Sequence, residues 1–160
     1  MIRVQREDFD LGRELERLTA GRSDIGGLAV FVGLVRDMLG EGAGAQEIGA
    51  MTLEHYPGMT EKMLAKIEAE ANARWPLEAS LIVHRYGRME PGEQLVLVAA
   101  ASAHRQAAFE ACQFLIDWLK TKAPFWKQEE TGAGPRWVEA RASDDDAAER
   151  WSDPEKGAAE

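Results

Sequence analysis

The sequence predicts an α+β domain with mainly antiparallel strands. Three observations lead there. About six short stretches are β-prone or alternate apolar with polar residues, whereas two or three longer ones repeat at helical spacing. Gly- and Pro-rich turns of hairpin type join several of the strands, which does not suit a parallel βαβ series. The chain of 160 residues is 45% apolar and 29% charged, enough for one domain with a real core. The expected organisation is a single domain over residues 1–151, followed by an acidic tail, 152–160, without fixed structure.

The elements follow in order. Ile2–Val4 is a short strand. Asp10–Thr19 is a helix, with Asp10 as cap and Leu11, Leu15 and Leu18 on one face. After a turn at Gly21–Asp24, Gly26–Arg36 carries the run Leu28-Ala-Val-Phe-Val-Gly-Leu-Val35, the pattern of a strand buried on both faces. Asp37–Gly49 holds four glycines and few large apolar residues, and reads as a surface loop. Ala50–His55 is a strand, and His55-Tyr-Pro-Gly-Met59 turns the chain into a helix over Pro57–Arg74. Thr60 is its predicted cap, Met63, Leu64, Ile67 and Ala71 its inner face, and Trp75-Pro76 its stop.

Ala79–Tyr86 alternates as a strand, Glu90-Pro-Gly-Glu93 is a turn, and Gln94–Ala101 is another strand. A helix follows from a Ser102 cap and ends at Pro124. Phe125–Glu130 and Arg136–Glu139 form a hairpin around Gly132-Ala-Gly134. In the acidic stretch 143–160, Trp151 is the one large anchor.

The net charge of −9 argues against a general binder of nucleic acid or anionic membrane. The single cysteine, Cys112, excludes a disulfide within the chain and reads as a small core residue. No apolar run is long enough to span a membrane and the N-terminus lacks a signal core, so a cytoplasmic protein is expected. His55, His84 and His104 show no metal-ligand spacing. There is no phosphate loop, dinucleotide fingerprint or serine elbow, and Cys112 has no evident triad. Neither a metal nor a cofactor is called for.

The helix from residue 102 to Pro124 has charges that run against helix electrostatics. A helix N-terminus carries partial positive charge and favours acidic neighbours, yet His104 and Arg105 occupy its first turn. Backbone N–H groups, an imidazole and a guanidinium converging there would hold an anion. Phe109, Cys112, Ile116 and Leu119, with Ala108 and Leu115, form an apolar stripe. At 100° per residue Lys120 lies roughly 20° from Phe109, on the border of that stripe. A border lysine can snorkel, or serve as base, nucleophile or short-range positive charge. Beyond the breaker, Phe125 and Lys127 share one strand face, which can bring Lys127 back towards Lys120. Arg36, at a strand end beside the glycine loop, can point into a cleft; it also fits an ordinary surface charge.

Several strings then match a known family. Phe31-Val-Gly-Leu-Val-Arg36, Leu53-Glu-His-Tyr-Pro-Gly-Met-Thr60, Ser102-Ala-His-Arg105, Leu119-Lys-Thr-Lys-Ala-Pro-Phe-Trp-Lys127 and Arg136-Trp-Val-Glu-Ala-Arg141 resemble, in order, the large catalytic subunit of molybdopterin synthase. The resemblance implies a hammerhead-like α/β core with a small β lobe, and a homodimer within a heterotetramer. It implies a small ubiquitin-like sulfur carrier as partner, ending in a Gly-Gly thiocarboxylate. The implied substrate is cyclic pyranopterin monophosphate, converted to the molybdopterin dithiolene by two sulfur transfers. Lys120 and Lys127 take the catalytic positions. Leu34, Val35, Arg36, His104, Arg105, Gln128, Glu129 and Arg141 take substrate-binding ones. Leu34 stands where some relatives place a lysine, which leaves backbone contacts for Leu34 and Val35. Three readings compete: a non-catalytic receptor for a ubiquitin-like sulfur carrier, another lysine-dependent enzyme acting on a phosphorylated metabolite, and a structural dimer with an ion cluster.

Overall fold

Two sheets divide the chain, and the places where they meet are set by which strands alternate and which run continuously apolar. The computed structural model describes residues 1–39, 46–138 and 148–152. Its elements are β1 (Ile2–Gln5), α1 (Leu11–Thr19), β2 (Gly27–Leu34), β3 (Met38–Leu39), β4 (Gln46–His55) and α2 (Met59–Arg74). Then come β5 (Leu77–Arg85), β6 (Gly87–Met89), β7 (Gln94–Ser102), α3 (Arg105–Lys122), β8 (Phe125–Thr131) and β9 (Gly134–Val138).

The first sheet has the order β1-β5-β7-β2. Only β1 and β5 pair in parallel; β5–β7 and β7–β2 are antiparallel. The second is antiparallel, in the order β3-β4-β8-β9 with β6 also on β4. This is the predicted α+β architecture.

α2 and α3 cover one face of the first sheet, where Leu64, Ile67 and Ala71 meet Phe114, Leu115, Ile82 and Val98. Trp151 joins this core beside Trp75 and Phe114, and its indole N–H donates to Asp117 at 2.8 Å. On the opposite face α1 presents Leu11, Leu15 and Leu18 to a cluster of Phe9, Leu81, Val83 and Leu97. Asp10 caps α1 as expected, accepting from the Arg13 N–H at 3.0 Å.

The structure corrects five sequence expectations. β2 is an edge strand, so its apolar run is not buried on both faces: Val30, Phe31 and Leu34 are exposed. Residues 38–39 and 46–49, read as loop, belong to β3 and β4; residues 40–45 lie outside the described residues. β4 extends there because Ile48 and Ala50 bury inward despite the surrounding glycines. Gly58 (φ +80°), not Thr60, starts α2, its N–H donating to Glu61 at 2.6 Å. Thr60 is buried in the first turn, accepting from the Tyr56 N–H at 3.2 Å and donating to the Pro124 carbonyl at 3.3 Å. Ser102 ends β7 and donates to the Pro76 carbonyl at 2.8 Å, so His104 is the N-cap of α3, with no side-chain cap bond. Finally, Phe109 is 64% exposed and leaves the buried stripe of α3, which consists of Ala108, Ala111, Cys112, Phe114, Leu115, Ile116 and Leu119. The expected tail, from residue 153 onward, lies outside the described residues.

Candidate active site

The C-terminal end of α3, the end of β2 and the inner face of the second sheet enclose a cavity of about 570 Å³. Each wall follows from a local pattern. β8 alternates, so Phe125, Lys127 and Glu129 point inward while Trp126 and Gln128 take the other face. Register sets Lys127 opposite Leu53 and Glu129 opposite Met51, both buried apolar residues of β4. β2 delivers Leu34, Val35 and Arg36 to the opposite wall. α3 contributes Leu119 and Lys120 from its last turns, where cations also complement the helix dipole.

Glu129 is the most confined charge of the site. Its side chain is 1% exposed and pairs with the Lys127 ammonium at 2.7 Å, while Lys127 itself is 32% exposed. The second carboxylate oxygen, Oε2, is buried without a hydrogen-bond partner among the described residues. A buried carboxylate oxygen left unpaired costs free energy, so it marks a place where a bound donor would be welcome. Lys127 is thus held by Glu129 on one side and faces the cavity on the other.

Lys120 lines the same cavity from the rim and is exposed, not half-withdrawn from water as its angular position suggested. The reason is Phe109: the helix face that Lys120 shares with it points outward. Lys122 sits over the Trp118 ring at 5.3 Å and takes no part in the cavity. Arg36 lies at the mouth, exposed. Val35 is buried, and its N–H donates to the Glu93 carbonyl at 3.0 Å while its carbonyl accepts from Gly92 at 2.8 Å. Its N–H is therefore committed, whereas its carbonyl keeps a second lone pair.

Six of the ten residues singled out from the sequence, Leu34, Val35, Arg36, Lys120, Lys127 and Glu129, line this one cavity. Gln128 does not, and Arg141 lies outside the described residues. His104 and Arg105 do not either: they stand exposed at the far end of α3, about 24 Å along the axis from Lys120 at 1.5 Å per residue. Within one chain, then, these cations do not all meet in one pocket. The N-terminal end of α3 is built closely all the same. A Cβ at Gly26 would sit 2.2 Å from the Ala103 carbonyl oxygen, and one at Gly27 would meet the Arg105 Cα at 3.1 Å. The Gly26 N–H donates to the Ser102 carbonyl at 3.0 Å. Only glycines allow β2 to pass that near the turn carrying His104 and Arg105.

The sequence reading missed His84, which lines the cavity from β5 and is 4% exposed. Its ring stacks on Phe125 with centroids 3.8 Å apart and planes 16° from parallel. Burial, with His55 nearby, pushes its pKa down to about 4, so it is neutral at neutral pH. The signal was present in the alternation of β5, where His84 shares the face of Ile82, a fully buried residue. Cys112 is buried, and desolvation raises its thiol pKa to about 11, which leaves little thiolate for nucleophilic work. Among the described residues no cluster of His, Cys, Asp or Glu could hold a metal ion, and no helix is long and apolar enough to cross a membrane.

Residues 4–122 match the family model described as MoaE protein. The chain belongs to this family. A Pseudomonas aeruginosa protein named molybdopterin synthase catalytic subunit is 59% identical over 152 residues, covering 95% of this chain and 99% of the relative. The solved structure of the molybdopterin biosynthesis MoaE protein from Burkholderia ambifaria superposes with a TM-score of 0.80 at 52% identity, covering 96% of this chain and 98% of that one. Molybdopterin synthase from Staphylococcus aureus superposes at 0.77 with 31% identity, covering 86% and 96%. The MoaE match runs through Lys120, and the whole-length relative extends it past Lys127 and Glu129.

Proposed function

We propose that the cavity is where sulfur passes from the C-terminal thiocarboxylate of a small ubiquitin-like carrier to cyclic pyranopterin monophosphate, forming the molybdopterin dithiolene. Family membership makes the chain an enzyme of molybdopterin synthesis. The observation that carries the chemical reading is the convergence of Arg36, Lys120 and Lys127 on one cavity in a chain of net charge −9. Both reactants are anionic, and a cluster of cations against the overall field attracts them to this one place. A cytoplasmic setting belongs to the same proposal.

The steps follow from the groups present. The carrier's extended tail enters beside Lys120 and Lys127, and its sulfur attacks an oxygen-bearing carbon of the pterin side chain; the C–S bond forms as the C–O bond there breaks, and the departing oxygen takes up a proton. The resulting thioester is hydrolysed, releasing the carrier as a carboxylate and leaving sulfur on the pterin. Lys120, at the rim, offsets the developing oxyanion or moves a proton. Lys127, held by Glu129, keeps a fixed position, which favours orientation over proton transfer.

His104 and Arg105 enter this scheme through a second copy. Within one chain they are too distant from Lys120 to touch the same small substrate. The exposed Phe31 on edge strand β2, with Phe109 on the adjoining α3, offers an apolar surface that a homodimer would cover. A two-fold dimer could then present one copy's His104 and Arg105 to the phosphate held in the other's cavity. Arg141 is kept as a further candidate at the same place.

The direct test is a sulfur-transfer assay with carrier thiocarboxylate and precursor. Lys120→Ala should keep the fold and bind carrier, yet form no dithiolene. Near-normal turnover by that variant would remove Lys120 from the chemistry.

A further inference from the structure

His84 contributes to no step above, yet it is the only buried imidazole on the cavity wall. Its orientation is fixed from two directions. Nδ1 lies 2.9 Å from the Arg85 carbonyl, which can only accept, so Nδ1 carries the proton. Phe125 covers one ring face in a parallel stack. That leaves Nε2 with its lone pair, and it has no hydrogen-bond partner among the described residues. His55, a neighbour of the ring, lies towards Tyr86 and Phe125 and near Glu61, and makes no bond to it.

We infer that His84 is a substrate-orienting residue, whose Nε2 accepts a hydrogen bond from a ring N–H of the reduced pterin bound in the cavity. The inference rests on the sulfur-transfer reading of the site. Three features favour an acceptor role over the alternatives. The walls already supply cationic donors in Arg36, Lys120 and Lys127, whereas acceptors are few: His84 Nε2 and the unpaired Oε2 of Glu129. A reduced pterin carries several N–H donors beside its anionic phosphate, so its ring needs acceptors where its phosphate needs cations. A neutral imidazole also accepts without adding negative charge that would oppose the incoming thiocarboxylate. The stack links the two parts of the site, because Phe125 shares the inward face of β8 with Lys127.

The chain has three histidines, so its imidazole nitrogens can be followed individually by 15N NMR with specific labelling. Titrating the full-length protein with reduced cyclic pyranopterin monophosphate at neutral pH should shift the unprotonated Nε2 signal of His84 upfield and leave its Nδ1–H signature in place. Two variants separate acceptor from scaffold. His84→Asn places an amide donor near Nδ1 but nothing at Nε2; it should weaken precursor binding roughly tenfold, the worth of one hydrogen bond of about 1.4 kcal/mol. His84→Gln places an amide oxygen near Nε2 and should recover most of that loss. The effect should fall on KM more than on kcat. An Nε2 signal unmoved at saturating precursor would overturn the inference while leaving the cavity assignment intact. If wild-type protein, alone and with carrier, bound no precursor, the cavity assignment itself would fail and take this role with it.

Discussion

At the C-terminal end of α3, Lys120 and Lys122 follow the polarity of the helix, and Lys120 meets Lys127, Glu129 and Arg36 around one half-open cavity. At the N-terminal end, His104 and Arg105 oppose that polarity, with no acidic residue in the first turn, and stand exposed away from the cavity. The first arrangement is explained within one chain. The second is not: two basic side chains beside the positive end of a helix gain from an anion that one chain does not provide. On the proposed reading, the unfavourable end is the one that serves a phosphate in a second copy's cavity. The favourable end completes its own chemistry.

The largest effect expected from disturbing this contrast is at the favourable end. Lys120→Ala should lower dithiolene formation by on the order of 1,000-fold, the scale of a lost proton-transfer or oxyanion-stabilising group, with an unchanged circular dichroism spectrum. Next is the acid limb of stability. His84 is buried neutral, with its pKa lowered from 6.5 to about 4. Between those values the unfolded chain binds the extra proton, so the stability His84 contributes is complete above about pH 6.5 and is lost as pH falls towards 4. Its size is roughly 3 kcal/mol across that window. Urea titrations of His84→Gln against wild type should show a shallower loss over that range in the variant.

The N-terminal end should respond through structure first. Gly26→Ala places a methyl 2.2 Å from a backbone oxygen and should cost about 2 kcal/mol, read as a lower urea midpoint, with weaker precursor binding as the turn bearing Arg105 shifts. The smallest effect belongs to Phe109→Ser, which touches an exposed position and should change the stability of one chain by under about 0.5 kcal/mol. The same substitution should weaken self-association in sedimentation; unchanged self-association would remove Phe109 from the dimer surface.

Much of this was legible in the residues. Alternation placed Phe125 and Lys127 on one face of β8, and the helix breaker at Pro124 folded that strand back beside Lys120. Cap chemistry located α1, and Trp75-Pro76 ended α2. The failures share a cause: local pattern does not say which apolar surface another part of the protein will cover. The run at residues 28–35 has the composition of a central strand but sits at an edge, and Phe109 has helical stripe spacing but faces out. In the proposed dimer, Phe31 from that run and Phe109 would lie against a second copy. Likewise the charges of residues 104 and 105 announced an anion site, but spacing along a helix fixed their distance from Lys120 and not the chain they serve. His84 received no place in the cavity from the sequence because its partner, Phe125, is 41 positions away, and only the fold brings them into a stack.

The most direct measurement uses mixed dimers, with Lys120→Ala in one copy and Arg105→Ala in the other, purified through two different tags. If each cavity draws Arg105 from the neighbouring copy, one of the two sites holds both wild-type residues, and dithiolene formation should return to about half that of the wild-type dimer. Each single-variant homodimer should be inactive. Mixed dimers as inactive as the homodimers would mean that Lys120 and Arg105 must come from the same chain, contradicting the shared site.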